Sequence, residues 1–386
     1  MITSLSEAPL LAPDLPALWP GMLVRSARQA HHLPFGSCSA LYFYFARNAI
    51  WHAVKLLGLE GYEVLAPAYH HGVEIEALLA AGATVRFYRI GPRWDVDLDD
   101  LASKIGDRTR ALYLTHYAGF PGPTREMLAL CRHHGLRLIE DCALSLLSSD
   151  GRHRLGSFGD VSIFCLYKTL PVPNGGAMVF NAAVGRIPMP SVSPSWGSTT
   201  GHLLSSILQG IELRMGKPGA LARKLIRVLG RSAANASGVE RVATGTRHFD
   251  PRHVNLGISG LSQRIAMRQD LDEIVRTRRR NYQLLATELG ACSPPLHPRL
   301  PDGVCPLFYP LIVENKDEVL SRLRSRGVQA VDFWRFSHPA CALESFPDVV
   351  RLRQTVVEIP CHQDLSPARI RKVAAVVRAA VSNKAS

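Results

Sequence analysis

The chain has 386 residues, 47% of them hydrophobic, with ordinary glycine, proline and charged fractions. That is enough apolar material for a large core and more than one domain, and it argues against disorder away from the ends. A formal net charge of +13 favours anionic partners such as phosphorylated small molecules, although heavy arginine usage alone accounts for it equally well.

Met1 to Ala8 lacks a basic start followed by an apolar run, so no secretory signal is expected and the reading is cytoplasmic. Residues 1–35 read as an N-terminal extension. From about residue 40, strand-like and helix-like stretches alternate. Asn48–Gly58 predicts a helix, YEVLAP a strand, Val73–Ala81 a helix and TVRFY a strand. Leu98–Ile105 predicts a helix, RALYLTH a strand, Thr124–His134 a helix and LRLIED a strand. The aspartates at 95, 97, 99 and 100 read as a turn and N-cap before Leu101. This alternation implies right-handed crossovers and a mostly parallel sheet, with ligands beyond the carboxyl ends of its strands.

Residues 181–250 break the rhythm and read as a helical insertion. Leu203–Met215 predicts one helix and Pro218–Leu229 a second. Arg223, Arg227 and Arg231 recur at spacing four in a basic amphipathic pattern. A helix packed on its own protein is favoured there, with weak membrane-surface contact through 203–231 as the alternative. Glu212, Arg214 and Lys217 exclude a membrane span. A long helix is expected from Ser259 to Leu289. After it, PLFYPLIV, Lys316–Arg326, VVEIP and Ser366–Ala380 predict a smaller α/β domain. The expected organisation is a large domain over 36–255, then the long helix and small domain over 256–386. Eight scattered cysteines without a CxxC pair read as reduced thiols, not a disulfide frame or a metal site. No nucleic-acid-binding module is recognisable.

Two residues stand in contexts that suit one cofactor. Asp141 ends the run LRLIED, and Lys168 lies in IFCLYKTLPVPNGG, 27 residues later. Pyridoxal phosphate needs an amine to hold its aldehyde as a Schiff base and a carboxylate to keep its ring nitrogen protonated. A lysine ending an apolar run can lose its charge by desolvation, as that bond requires. The bland alternatives are an exposed strand-end lysine and a turn-forming aspartate. The helix start at Ala46, Arg47 and Asn48 is a natural anion site, to which Arg47 adds charge. His71, in APAYHHGVEIE, is either a flat ring against a heterocycle or a loop histidine. His116, in LTHYAGFPGP, is a strand-end candidate for contacting cofactor or substrate. Cys131, His133 and His134 do not point one way, so no metal site is expected.

Taken together, these segments resemble the DegT/StrS family of aminotransferases acting on nucleotide-linked keto-sugars. The resemblance lies in YEVLAPAYHHGVEIEALLAAGATVRFY, TRALYLTHYAGFPGPTREMLALCRHHGLRLIEDCA, GSFGDVSIFCLYKTLPVPNGGAMVF and VVEIPCHQDLSPARIRKV, over roughly residues 40–180 and 255–380. It implies the pyridoxal-phosphate transferase fold of type I, a homodimer, an amino-acid donor and an anionic sugar-nucleotide acceptor. It implies Lys168 as the Schiff-base residue, Asp141 on the ring nitrogen, His71 over the ring, and Ala46, Arg47 and Cys165 toward the phosphate. Asn255 and His362 fall where substrate or partner-subunit contacts are expected. Cys165 replaces a serine, Leu144 a Gln or His, and Ala46 a glycine. Two other functions are carried forward, a lyase or dehydratase using the same cofactor and a non-enzymatic family member. Lys168 argues against the dehydratase, since the family's dehydratases typically replace that lysine with histidine.

Overall fold

A computed structural model of the chain describes residues 10–24, 34–35, 39–181, 190, 192–194, 196–216, 218–219, 221, 249–293, 296–297 and 299–382. Seven strands form the main sheet: β1 (Ala40–Phe43), β2 (Glu63–Pro67), β3 (Thr84–Tyr88), β4 (Thr109–Thr115), β5 (Arg137–Cys142), β6 (Val161–Cys165) and β7 (Gly176–Phe180). Their order is β1-β7-β6-β5-β4-β2-β3. The neighbours from β3 across to β6 are parallel, while β7 runs antiparallel to both β6 and β1. β6 and β7 are buried along their whole length, which is why they read as continuous apolar runs. Each buried Leu, Ile or Val there contributes roughly 1.5–3 kcal/mol relative to exposure.

Helices Ala46–Leu56, Val73–Ala80, Leu98–Ser103 and Thr124–His134 lie between these strands, close to the expected bounds. Asp97 caps its helix by accepting the Asp100 N–H at 2.9 Å. The expected long helix from 259 to 289 is two helices, Gly260–Ala266 and Leu271–Leu289. The break has a local cause. Asp270 accepts the Glu273 N–H at 3.0 Å and starts a new N-terminus, with Asp272 and Glu273 in its first turn.

A second sheet of β8 (Phe308–Ile312), β9 (Val331–Asp332) and β10 (Val356–Pro360) has the order β8-β10-β9 and is antiparallel. Helices Lys316–Ser325, Pro347–Thr355 and Pro367–Ser382 accompany it. The proposed basic helix lies outside the described residues from 222 onwards, as do Met1 to Ala8 and Cys38. The other seven cysteines are free thiols, six of them buried. Among the described residues no helix is long and apolar enough to cross a membrane.

His362, expected near the substrate, serves the core instead. It is 1% exposed, and its Nδ1 accepts the Asp364 N–H at 3.4 Å, so Nε2 donates to the Pro13 carbonyl at 3.0 Å. Asn281 holds the same turn by donating to the Cys361, His362 and Leu365 carbonyls. Burial, followed by the nearby Arg278 charge, pushes the His362 pKa down to about 3. The unfolded chain therefore takes up this proton first as pH falls below about 6.5, and folded stability drops. Between pH 7 and pH 5 the loss is about 2 kcal/mol for this one group. His362→Gln is expected to remove that part of the pH slope in denaturant titrations. Other buried groups titrate alike in both proteins and cancel in the comparison.

Candidate active site

The carboxyl ends of β4, β5 and β6 set the site. Alternation along β5 sends Glu140 and Asp141 to opposite faces of the sheet. On one face Asp141 Oδ2 accepts from Tyr113 Oη at 2.9 Å and Oδ1 from the Ala143 N–H at 2.9 Å. Asp141 is 6% exposed, and burial raises its pKa despite the Ala143 amide, Lys168 and Tyr113. On the other face Glu140 accepts the amides of Gly156, Phe158 and Gly159 at 3.0, 2.8 and 2.6 Å. Burial works against its charge, yet His116 and these amides outweigh it and hold the pKa low.

His116 is on the Glu140 side, not beside the Asp141 carboxylate. The Gly122 N–H donates to Nδ1 at 3.0 Å, so the ring proton sits on Nε2 and points at Glu140 Oε1, 3.1 Å away. Its backbone N–H also donates to the Asp141 carbonyl at 3.1 Å. His116 thus braces the strand end from the Glu140 side. Cys142 completes a group with these two whose ligand atoms lie within 4.8 Å of one another. The same tautomer puts a proton where a metal ion would need the lone pair.

Lys168 follows β6 in a tight turn, with the Thr169 and Leu170 amides donating to the Leu166 carbonyl. Its backbone N–H reaches the Cys165 thiol, whose pKa burial pushes up. The lysine charge acts on Asp141, Glu74, His71 and Glu358. His71 projects from the turn after β2. Burial, then Lys168, Arg353 and Arg47, push its pKa down to about 3, so the ring is neutral. Its Nδ1 is buried without a hydrogen-bond partner.

The helix Ala46–Leu56 begins at the same end. Its N-cap residue Phe45 makes no side-chain cap bond. A side chain at Gly176 would place Cβ 2.3 Å from the Ala46 nitrogen, so glycine there lets β7 lie against this helix start. Arg47 is 9% exposed, packs 3.9 Å from the Phe45 ring centre, and feels Tyr167 and Cys165. Asn255 is exposed beside His52 and apart from this cluster.

Lys168, Asp141, His71, Cys165, Ala46 and Arg47 thus lie at one end of the main sheet, at or just beyond the carboxyl ends of β6, β5, β2 and β1. Tyr113, Glu74, Glu358 and Arg353 interact with members of this group without having been singled out in the sequence. The donor set fits pyridoxal phosphate. Asp141 is a buried carboxylate without a hydrogen-bonded cation among the described residues, which suits a protonated ring nitrogen. An uncapped helix start beside a buried arginine suits a phosphate. A neutral ring with a free, buried nitrogen suits the face of a cationic heterocycle.

A model of the DegT/DnrJ/EryC1/StrS aminotransferase family matches residues 39–184. The dTDP-4-dehydro-2,3,6-trideoxy-D-glucose 4-aminotransferase of Saccharopolyspora spinosa is 26% identical, covering 100% of this chain and 96% of that protein. Among solved structures, the aminotransferase TlmJ from Streptoalloteichus hindustanus superposes with a TM-score of 0.66 at 23% identity, covering 96% of this chain and 98% of that one. NtdA from Bacillus subtilis, with bound cofactor PMP, gives a TM-score of 0.60 at 15% identity over 89% of this chain and 73% of that one.

Proposed function

We propose that the chain, whose residues 39–184 match the DegT/DnrJ/EryC1/StrS aminotransferase family, uses pyridoxal phosphate to move an amino group from an amino acid to a nucleotide-linked keto-sugar. The observation that carries this reading is the placement of Lys168, Asp141 and His71 at the carboxyl ends of the parallel strands β6, β5 and β2, with the Lys168 charge acting on the other two. When bound, the cofactor supplies an electron sink that stabilises negative charge on the donor or acceptor carbon.

The residues divide that work. Lys168 Nζ would hold the cofactor through its aldehyde and, when free, would carry the proton to and from the reacting carbon. Asp141 holds the ring nitrogen in its protonated form through charge. His71 covers one face of the ring. Arg47, the Cys165 thiol and the helix start at Ala46 hold the phosphate. The surplus of 45 lysines and arginines over 32 acidic residues supports an anionic acceptor. The S. spinosa relative acts on a dTDP-linked keto-sugar, which supports the same substrate class. We further propose a homodimer in which the exposed Asn255 faces the partner's site. Arg223, Arg227 and Arg231, on which membrane contact through 203–231 would rest, lie outside the described residues.

Labelled nitrogen tests the reaction. With a 15N amino donor and a nucleotide-linked 4-keto-sugar, the amino-sugar product is expected to carry the label by mass spectrometry. Consumption of the sugar with no nitrogen in the product would favour the lyase reading.

A further inference from the structure

The turn that carries His71 is held by side chains from distant parts of the chain. Three successive carbonyls are taken: Ala68 and His70 accept from Arg353 Nη2 at 3.3 and 2.9 Å, and Tyr69 accepts from Tyr117 Oη at 2.6 Å. The next two amides, His71 and Gly72, donate to the two oxygens of Glu74 at 2.8 and 3.0 Å. The neighbouring His70 ring is also fixed. Its Nε2 accepts the His338 N–H at 3.1 Å, which leaves Nδ1 to donate to the Pro67 carbonyl at 3.0 Å. Of this turn's two histidine rings, only His71 keeps a buried nitrogen without a partner.

Both clamps are costly as structure alone. Glu74 is 5% exposed, and burial together with the Asp141 charge pushes its pKa up to about 7. Arg353 is 3% exposed and its guanidinium donates to four carbonyls, those of Trp334 and Phe336 at 2.6 and 2.5 Å besides the two above. A buried cation solvated by carbonyls in place of a carboxylate keeps its full positive field. That field acts on His71, where it adds to burial in keeping the ring neutral. A neutral ring can lie against a protonated heterocycle without like-charge repulsion.

We propose that Glu74 and Arg353 are positioning residues for the cofactor, acting through His71 by fixing the turn that presents its ring. Arg353 comes from the helix Pro347–Thr355, so it ties the ring wall to the second sheet as well as to the first. This inference rests on the reading that Lys168 and Asp141 hold pyridoxal phosphate.

A double-mutant cycle on the full chain separates the possibilities. Pyridoxal phosphate is titrated into apo-protein and followed by absorbance, with the thermal midpoint of each apo-protein measured alongside. Glu74→Gln keeps the side-chain volume but presents a donor NH2 to one of the two amides. It is expected to weaken the cofactor Kd about 10-fold with an apo thermal midpoint within a few degrees of the parent. In a His71→Ala background the same change is expected to weaken Kd less than 2-fold, because the ring it positions is gone. Arg353→Lys, whose compact ammonium cannot serve four carbonyls, is expected to behave likewise. An unchanged Kd in Glu74→Gln overturns the inference, as does an equal loss in both backgrounds. If the parent protein takes up no cofactor at all, the underlying reading fails instead.

Discussion

Lys168→Ala is expected to abolish the absorbance band of the lysine-bound cofactor and to lower kcat by about 10^4-fold or more, equivalent to about 5 kcal/mol. The size follows from the two duties of one amine. In the proposed mechanism Lys168 would make the covalent bond to the aldehyde and would be the base at the reacting carbon. Its charge acts on Asp141, Glu74 and Glu358, and the charges of Arg47 and Arg353 act on His71. The phosphate and ring contacts remain in the variant, so it is expected to retain pyridoxal phosphate non-covalently, detected as free cofactor after denaturation. A variant with an unaltered band would remove Lys168 from its assigned role.

Asp141→Asn is the second large effect, with an expected loss of about 10^3-fold in kcat, or roughly 4 kcal/mol. Asparagine can still accept the Ala143 N–H, but it carries no negative charge to hold the ring nitrogen protonated. The stability of the apo-protein is expected to move the other way. Burial raises the Asp141 pKa, so the folded state disfavours the charged form at neutral pH relative to the unfolded chain. The apo thermal midpoint of Asp141→Asn at pH 7 should therefore equal or exceed that of the parent. A fall in both activity and apo stability would mark Asp141 as a structural anchor first.

Much of the candidate site was readable in the sequence because its main residues sit at strand ends. LRLIED ends β5 with a carboxylate, and the apolar run before Lys168 is β6. Which face a strand-end residue occupies was harder to see for His116. The adjacency of Glu140 and Asp141 carried that information, since period-two alternation separates them and only one can look at the cofactor. The break at Asp270 was also legible in principle, as an aspartate three residues before Glu273 and ahead of an apolar-periodic run. Arg353 and Glu74 had no such signal. Their partners are backbone carbonyls and amides of the His71 turn, and a sequence does not display which backbone groups a folded turn leaves unpaired. His362 was misplaced for a related reason, because its neighbours Pro13 and Asn281 lie far away in the chain.

The family likeness and the site geometry meet in one claim, that Lys168 is the residue covalently joined to pyridoxal phosphate. Borohydride reduction of the cofactor-loaded protein, followed by peptide mass spectrometry, tests it most directly. The account predicts the reduced pyridoxyl phosphate mass on the peptide containing Lys168. Finding that mass on another lysine, or on none in a protein that has bound the cofactor, would contradict it.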